Sequence, residues 1–203
     1  MKRKRRSIAD FDFDVRDGWH PVDLESDSGR EWLDTLVREV APELAQRDLV
    51  RAELAAVRER LLAAADPRLT AAVYLPPGEP AHVKCVLAFR TTELSDTDSP
   101  ESYLAALDED EERSGPGERY NIVKTWTVRI DAGLAVGAYN LITYTDPGDA
   151  FGRPEARVVI GVFVDGAAQM LEFIFTTQDI AGFDDFVDMA MGCVATLTVE
   201  LGS

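Results

Sequence analysis

Asp165-Gly166 stands between two apolar runs, Ala156–Val164 and Ala167–Phe175. An Asp-Gly pair supplies the backbone freedom that a tight hairpin turn needs, and apolar, β-branched runs on either side favour strands. The pair predicts an antiparallel hairpin, so strands adjacent in sequence are expected to be adjacent in the sheet. Leu171, Phe173 and Phe175 alternate and are expected to face the core. Two earlier runs extend the same pattern. Tyr120–Ile130 places Ile122, Trp126, Val128 and Ile130 on one face, with Lys124 in register, and Val136–Tyr144 follows after a Gly-containing turn. Asp146-Pro-Gly-Asp149 and Gly152-Arg-Pro154 read as the loop before the hairpin.

The first third has a different period. Asp10–Val15 alternates strictly, with Phe11, Phe13 and Val15 opposite three aspartates, and reads as a half-buried strand. Pro21 holds His20 extended, at a strand end. From about Ser28 to Ala65 the apolar residues recur at helical spacing: Trp32, Leu33, Leu36, Val37 and Val40, then Leu44, Leu49, Val50, Leu54, Val57, Leu61 and Leu62. Pro42 divides this into two helices, because a proline inside a helix removes a hydrogen bond and clashes with the preceding turn. Leu69–Leu75 and Ala81–Thr91 then return to strand. Ser99-Pro100-Glu101 is a helix start: an N-cap, a proline at the first position and an acid in the first turn. Its end is expected to fray in the run Asp108-Glu-Asp-Glu-Glu112, since acids oppose the dipole there. A final helix is expected from about Phe183, with Phe183, Phe186, Val187, Ala190, Cys193, Val194 and Leu197 on its apolar face.

Together these elements predict an α+β fold: a mostly antiparallel six- to seven-stranded sheet packed by two N-terminal helices and a C-terminal helix. Residues 1–8 read as a disordered basic tail and residues 9–203 as a single domain, with no internal repeat. At 203 residues the chain is long enough for a core that needs no disulfide.

Charge is distributed unevenly. The net charge is −16, yet Lys2, Arg3, Lys4, Arg5 and Arg6 are all basic, which leaves 16 basic against 37 acidic residues and a net of −21 on the rest. Such a body repels nucleic acid and anionic lipid, so contact with nucleic acid is expected only through the tail. A basic protein partner, or a second copy of the chain, is the favoured kind of partner. Acids follow the tail at once, unlike the apolar stretch of a secretory signal, and no run approaches a membrane span. Cys85 and Cys193 lie far apart in apolar stretches and read as core thiols in a reducing cytoplasm.

No arrangement of residues advertises chemistry, and the expectation is a protein that is not an enzyme, with no catalytic, cofactor-binding or metal-binding residues and no cofactor. His20 and His82 lack partners at metal-ligand spacing. There is no nucleophile elbow, no G-x-x-x-x-G-K-[ST] and no G-x-G-x-x-G. Asp184-Asp185 and the 108–112 run lack the spaced oxygens of a calcium loop and read as solvated faces. Trp19, Trp32, Trp126, Tyr120, Tyr139 and Tyr144 are the aromatic candidates for lining a pocket, and otherwise belong to the core.

Two segments carry a family resemblance. Phe13-Asp-Val-Arg-Asp-Gly-Trp19 resembles the extended strand into a Gly-Trp turn that opens PsbP-like domains. Met170-Leu-Glu-Phe-Ile-Phe-Thr-Thr, Phe183-Asp-Asp-Phe and Cys193-Val-Ala-Thr-Leu-Thr-Val resemble their close, a final strand followed by a helix on the sheet. The long helix pair of residues 28–65 departs from that pattern. The resemblance implies a noncatalytic adaptor or accessory module and transfers no site residue. The element order is also similar to the helix-grip fold of START-like proteins, which implies a carrier or enzyme with a hydrophobic cavity between sheet and helix, although the last helix is short for a gripping one. The Ala- and Arg-rich composition looks like that of actinobacterial proteins.

Overall fold

A computed structural model of the chain describes residues 5–25, 29–109, 117–145 and 152–202. The strands are β1 (Ile8–Asp12), β2 (Trp19–Pro21), β3 (Thr70–Tyr74), β4 (Cys85–Glu93), β5 (Glu118–Ile130), β6 (Gly133–Tyr144), β7 (Arg153–Val164), β8 (Gln169–Thr177) and β9 (Thr198–Leu201). The helices are α1 (Gly29–Val40), α2 (Leu44–Ala63), α3 (Pro100–Asp108) and α4 (Phe186–Ala195). The fold class is α+β. Seven antiparallel strands follow the order β2-β3-β4-β8-β7-β6-β5, and β1 pairs with β9. The chain divides into two compact units, residues 15–89 and residues 1–14 with 90–203.

In the 15–89 unit, the helix pair is divided where Pro42 stands. The link between the helices is held by a side chain of α2: Arg47 donates from Nε to the Ala41 carbonyl at 2.9 Å and from its NH2 to that of Pro42 at 3.1 Å. Leu36, Val37 and Ala41 meet Val50, Leu54 and Val57 of α2 and Ala71 and Val73 of β3 in one buried cluster. β3 and β4 pair from Thr70–Phe89 to Tyr74–Cys85. The strand expected from Ala81 begins only at Cys85. The reason is a competing partner, because the Val83 N–H donates to the Glu53 carboxylate of α2 at 2.9 Å.

In the other unit, β5 to β8 form consecutive antiparallel hairpins. The Asp165-Gly166 turn is present, with Gly166 at φ +80° and the Ala167 N–H on the Val164 carbonyl at 3.2 Å. β8, however, starts at Gln169 rather than Ala167. Arg6 forms a parallel bridge to Ala167, donating to the Gly166 carbonyl at 2.9 Å and accepting from the Ala168 N–H at 2.7 Å. The residues after the turn are thus paired to the N-terminal segment. α3 packs on the face carrying Val136, Ala138 and Val159, through Leu107, Leu104 and Tyr103. α4 contacts β7 and buries Phe186, Met189, Ala190, Cys193 and Val194.

α4 begins at Phe186 rather than Phe183 because Asp185 is its N-cap, accepting from the Asp188 N–H at 2.9 Å. β1 ends at Asp12, so Val15 is exposed, while Phe13 sets its ring edge-on to Phe173 at 5.3 Å. The loop expected at Asp146–Asp149 and the residues Asp110–Glu112 lie outside the described residues.

Candidate functional site

The groove with the most developed chemistry lies where β4 hands over to α3. Its position follows from local sequence. β4 ends at Glu93, Leu94 continues the pairing through its N–H to the Ala168 carbonyl at 2.9 Å, and Ser95–Asp98 turns the chain. The turn is held by Asp98, whose carboxylate accepts the Ser95 N–H at 2.7 Å. Ser99 then caps α3, accepting from the Ser102 N–H at 3.1 Å while the Ser102 hydroxyl accepts from the Ser99 N–H at 2.9 Å.

The resulting groove has a volume of about 440 Å³. Its floor is Leu94, Ala106, Phe163 and Met170, and Thr92, Thr97, Ser99, Ser102 and Tyr103 bring hydroxyls to its walls. Glu93 and Asp98 are its charged lining residues, both acidic and both exposed. The backbone N–H and hydroxyl of Ser95 hold the Asp98 carboxyl below its usual range. Glu101, in the first turn of α3, is lowered by its own backbone N–H and then by Ser99. The rim is therefore anionic at any physiological pH.

Behind the Tyr103 wall sits a fully paired ionic group. Glu172 on β8 is 9% exposed. It accepts from the Tyr103 hydroxyl at 2.8 Å and from Arg90 Nε at 2.8 Å. Gly161 makes room for this wall: a Cβ there would stand 2.7 Å from the Tyr103 ring.

A second polar cluster occupies the far part of the same sheet face. Arg157 donates to the Tyr144 hydroxyl at 2.5 Å and to Glu155, itself 4% exposed, at 3.0 Å. Burial pushes Tyr144 up to about 12, against the opposing pull of Arg157. Desolvation opposes the charge of Arg157, but Tyr144 and Glu155 outweigh it and raise its pKa. Asn140, opposite Arg157 in the β6–β7 register, is fully buried with no hydrogen-bond partner for its amide.

The 15–89 unit carries two shallower grooves. One, of about 340 Å³, is lined by His20, Trp32 and Glu39 among others, and Trp32 donates its indole N–H to the Pro21 carbonyl at 2.8 Å. The other, of about 570 Å³, lies between Val22–Glu25 and the end of α2.

Of the aromatic candidates, the structure brings Tyr144 to Arg157, with Tyr120 close enough to act on both electrostatically. Trp19 packs on Tyr74 at 5.3 Å. Trp126 lies over Gly137, and Tyr139 is half-buried on β6. His20 lies 4.0 Å from Glu39 and His82 sits 3.0 Å from the Pro80 carbonyl, so each has its own neighbours. Cys85 and Cys193 are buried and unbridged. Asp185 serves as a cap, and Asp108 accepts from Thr125 at 2.6 Å. Among the described residues no three His, Cys, Asp or Glu side chains cluster as metal ligands, and no helix is long and apolar enough to cross a membrane.

The α3 groove was not legible in the sequence as a site. Its one signal was the Ser99-Pro100 helix start, while its floor comes from Phe163 and Met170, more than sixty residues away.

No family model matches the chain, and neither does any curated protein. Solved structures do. PsbP of Synechocystis sp. PCC 6803 (CyanoP) matches over 97% of this chain and 91% of its own, with a TM-score of 0.50 at 10% identity. The chain has a PsbP-like fold. LpqN of Mycobacterium tuberculosis, described as involved in cell envelope biogenesis, matches over 93% of this chain and 82% of its own, with a TM-score of 0.49 at 15% identity. PA94 of Pseudomonas aeruginosa, described as a putative regulator, matches over 63% of this chain and 81% of its own, with a TM-score of 0.42 at 17% identity.

Proposed function

We propose that this protein is a noncatalytic binding module that takes a basic, partly apolar segment of a partner protein into the groove at the start of α3. The observation that carries the reading is the build of that groove: an apolar floor of Leu94, Ala106, Phe163 and Met170 under a rim whose charged members, Glu93 and Asp98, are both acidic. Lysine and arginine side chains match that arrangement, because their hydrocarbon stems lie on apolar surface while their heads stay at a charged, wet edge. The volume of about 440 Å³ suits a few side chains rather than a whole domain. The net charge of −16 adds long-range attraction, which speeds encounter with a basic partner and suppresses acidic ones. The PsbP-like fold is in keeping with an accessory role. Two buried, unbridged thiols fit a cytoplasmic setting.

The test is a titration of the full chain with a labelled Lys/Leu peptide and its Glu/Leu counterpart, followed by anisotropy and by backbone NMR. The basic peptide is expected to bind and to shift residues 92–106, 163 and 170. Affinity should fall as salt rises. Glu93→Gln with Asp98→Asn should weaken binding about tenfold, mostly in the association rate. Equal binding of both peptides, or shifts confined to other surfaces, would sink the reading.

A further inference from the structure

The two ends of the strand order are finished differently. β2 is three residues long and closes on Pro21, which has no N–H to offer a further strand. β5 is thirteen residues long and contains no proline, and no strand among the described residues pairs with its outer side. An edge of that length presents a row of N–H and C=O groups to any extended chain. One face of it is also apolar: Ile122 is 38% and Val128 39% exposed, on either side of Lys124 and Trp126.

We propose that β5 pairs with β5 of a second copy, antiparallel, about a two-fold axis at Thr125. Residues opposite one another in antiparallel strands point to the same face, so the axis position decides every side-chain pair. With the axis at Thr125, Ile122 meets Val128 of the second copy, and the two exposed apolar residues cover each other. Lys124 falls opposite Trp126, whose ring leans onto Gly137 of β6. Val123 meets Thr127. Two-fold symmetry makes each of these pairs twice.

Neighbouring registers fit worse. An axis at Lys124 sets that lysine against itself, and like charges directly opposite are destabilising. An axis at Trp126 sets Ile122 against Ile130 but puts Lys124 against Val128, so one of the two exposed apolar residues faces a lysine. Charge acts against the pairing. A chain of net −16 repels its own copy, and Asp108 of α3, which accepts from Thr125, sets a carboxylate of each copy beside the axis, so the dimer is expected to tighten as salt rises. The segment 119–130 itself contains no acid. Of its three cations, Arg129 is already paired to Asp165.

Two single-cysteine variants test the register in the full chain, Ile122→Cys and Val128→Cys. The native thiols are buried and take no part. Opposite Cα atoms in such a pair lie about 5 Å apart, within disulfide reach. A residue and its own copy at these positions lie six places out of register, about 20 Å. Mild oxidation should therefore yield a covalent dimer from the mixture of the two variants and from neither alone. Sedimentation of the unaltered chain should show a dimer that dissociates on dilution. Val128→Lys, at an exposed position, should weaken it at least about tenfold with an unchanged far-UV spectrum. A monomer at about 100 μM, where even weak specific pairing is populated, would overturn the proposal. So would crosslinking of either variant alone, or a dimer indifferent to Val128→Lys.

Discussion

The Tyr103 hydroxyl donates to Glu172 Oε1 at 2.8 Å and ties α3 to β8 across 69 positions of sequence. The other carboxylate oxygen takes Arg90, through Nε at 2.8 Å and an NH2 at 2.6 Å. Both oxygens of a nearly buried carboxylate are thus engaged, and the two donors are expected to act as one unit. Tyr103→Phe removes one bond to a charged acceptor and should cost about 1–2 kcal/mol in urea unfolding. Arg90→Met leaves the carboxylate short of its counter-ion. Because the guanidinium is about a third exposed, the loss should be about 2–3 kcal/mol, below the range for a fully buried pair. The double variant Arg90→Met with Glu172→Met should recover most of it. If instead it is as unstable as the sum of its parts, the ionic group contributes independently of its partner.

This group shows what the chain hides from a reader of its sequence. Arg90 and Glu172 alternate correctly within strands, and the alternation places them on a face. Nothing in either strand says that the two faces are the same face, because that depends on β4 and β8 being neighbours while β5, β6 and β7 stack on the other side of β8. Elements set by local chemistry were legible: the Gly166 turn, the Ser99 cap, the break at Pro42. Those set by distant partners were not. β9 has four residues and no periodicity of its own, and it exists because β1, nearly 190 residues earlier, pairs with it from Ile8–Leu201 to Asp12–Thr198. The bridge of Arg6 to Ala167 is of the same kind, as is the groove floor that Phe163 and Met170 supply.

Ser99 governs the geometry of the groove mouth. It accepts the Ser102 N–H and offers its own N–H to the Ser102 hydroxyl, so each serine satisfies a donor the other would leave open. Ser99→Ala should cost about 1 kcal/mol. The effect should be local, seen as faster hydrogen exchange at Ser102 and Tyr103, with the protection of β7 and β8 little changed. Uniform loss of protection over the whole sheet would mean that α3 does not open separately.

Tyr144 gives a signature at alkaline pH. Burial first, offset in part by Arg157, lifts its pKa from 10.0 to about 12. Between those values the folded chain keeps a proton that the unfolded chain has released. The stability associated with that proton is fully present below pH 10 and is lost as pH rises through about 12. Absorbance titration near 295 nm should show a late step near pH 12 to which Tyr144 contributes, and Tyr144→Phe should reduce its amplitude by one tyrosine. The variant should also flatten the fall of stability with pH in the same window. A late step whose amplitude Tyr144→Phe leaves unchanged would assign it to another tyrosine.

Trp126 and Gly137 face each other across β5 and β6, and the indole lies where a Cβ at position 137 would stand. The conformation of Gly137 does not demand glycine; the space does. Gly137→Ala should push the ring off the sheet, because the backbone of a central strand yields less readily than the far end of a side chain. The expected cost is about 1–3 kcal/mol, the usual range for overpacking. The Trp126 indole N–H resonance should move while those of Trp19 and Trp32 stay in place. Trp126→Leu removes the atoms that collide, so the double variant should be less destabilised than the sum of the singles. If Gly137→Ala leaves both stability and the Trp126 resonance unchanged, the ring is not seated on Gly137, and the closeness of β5 to β6 at this position rests on the backbone ladder alone.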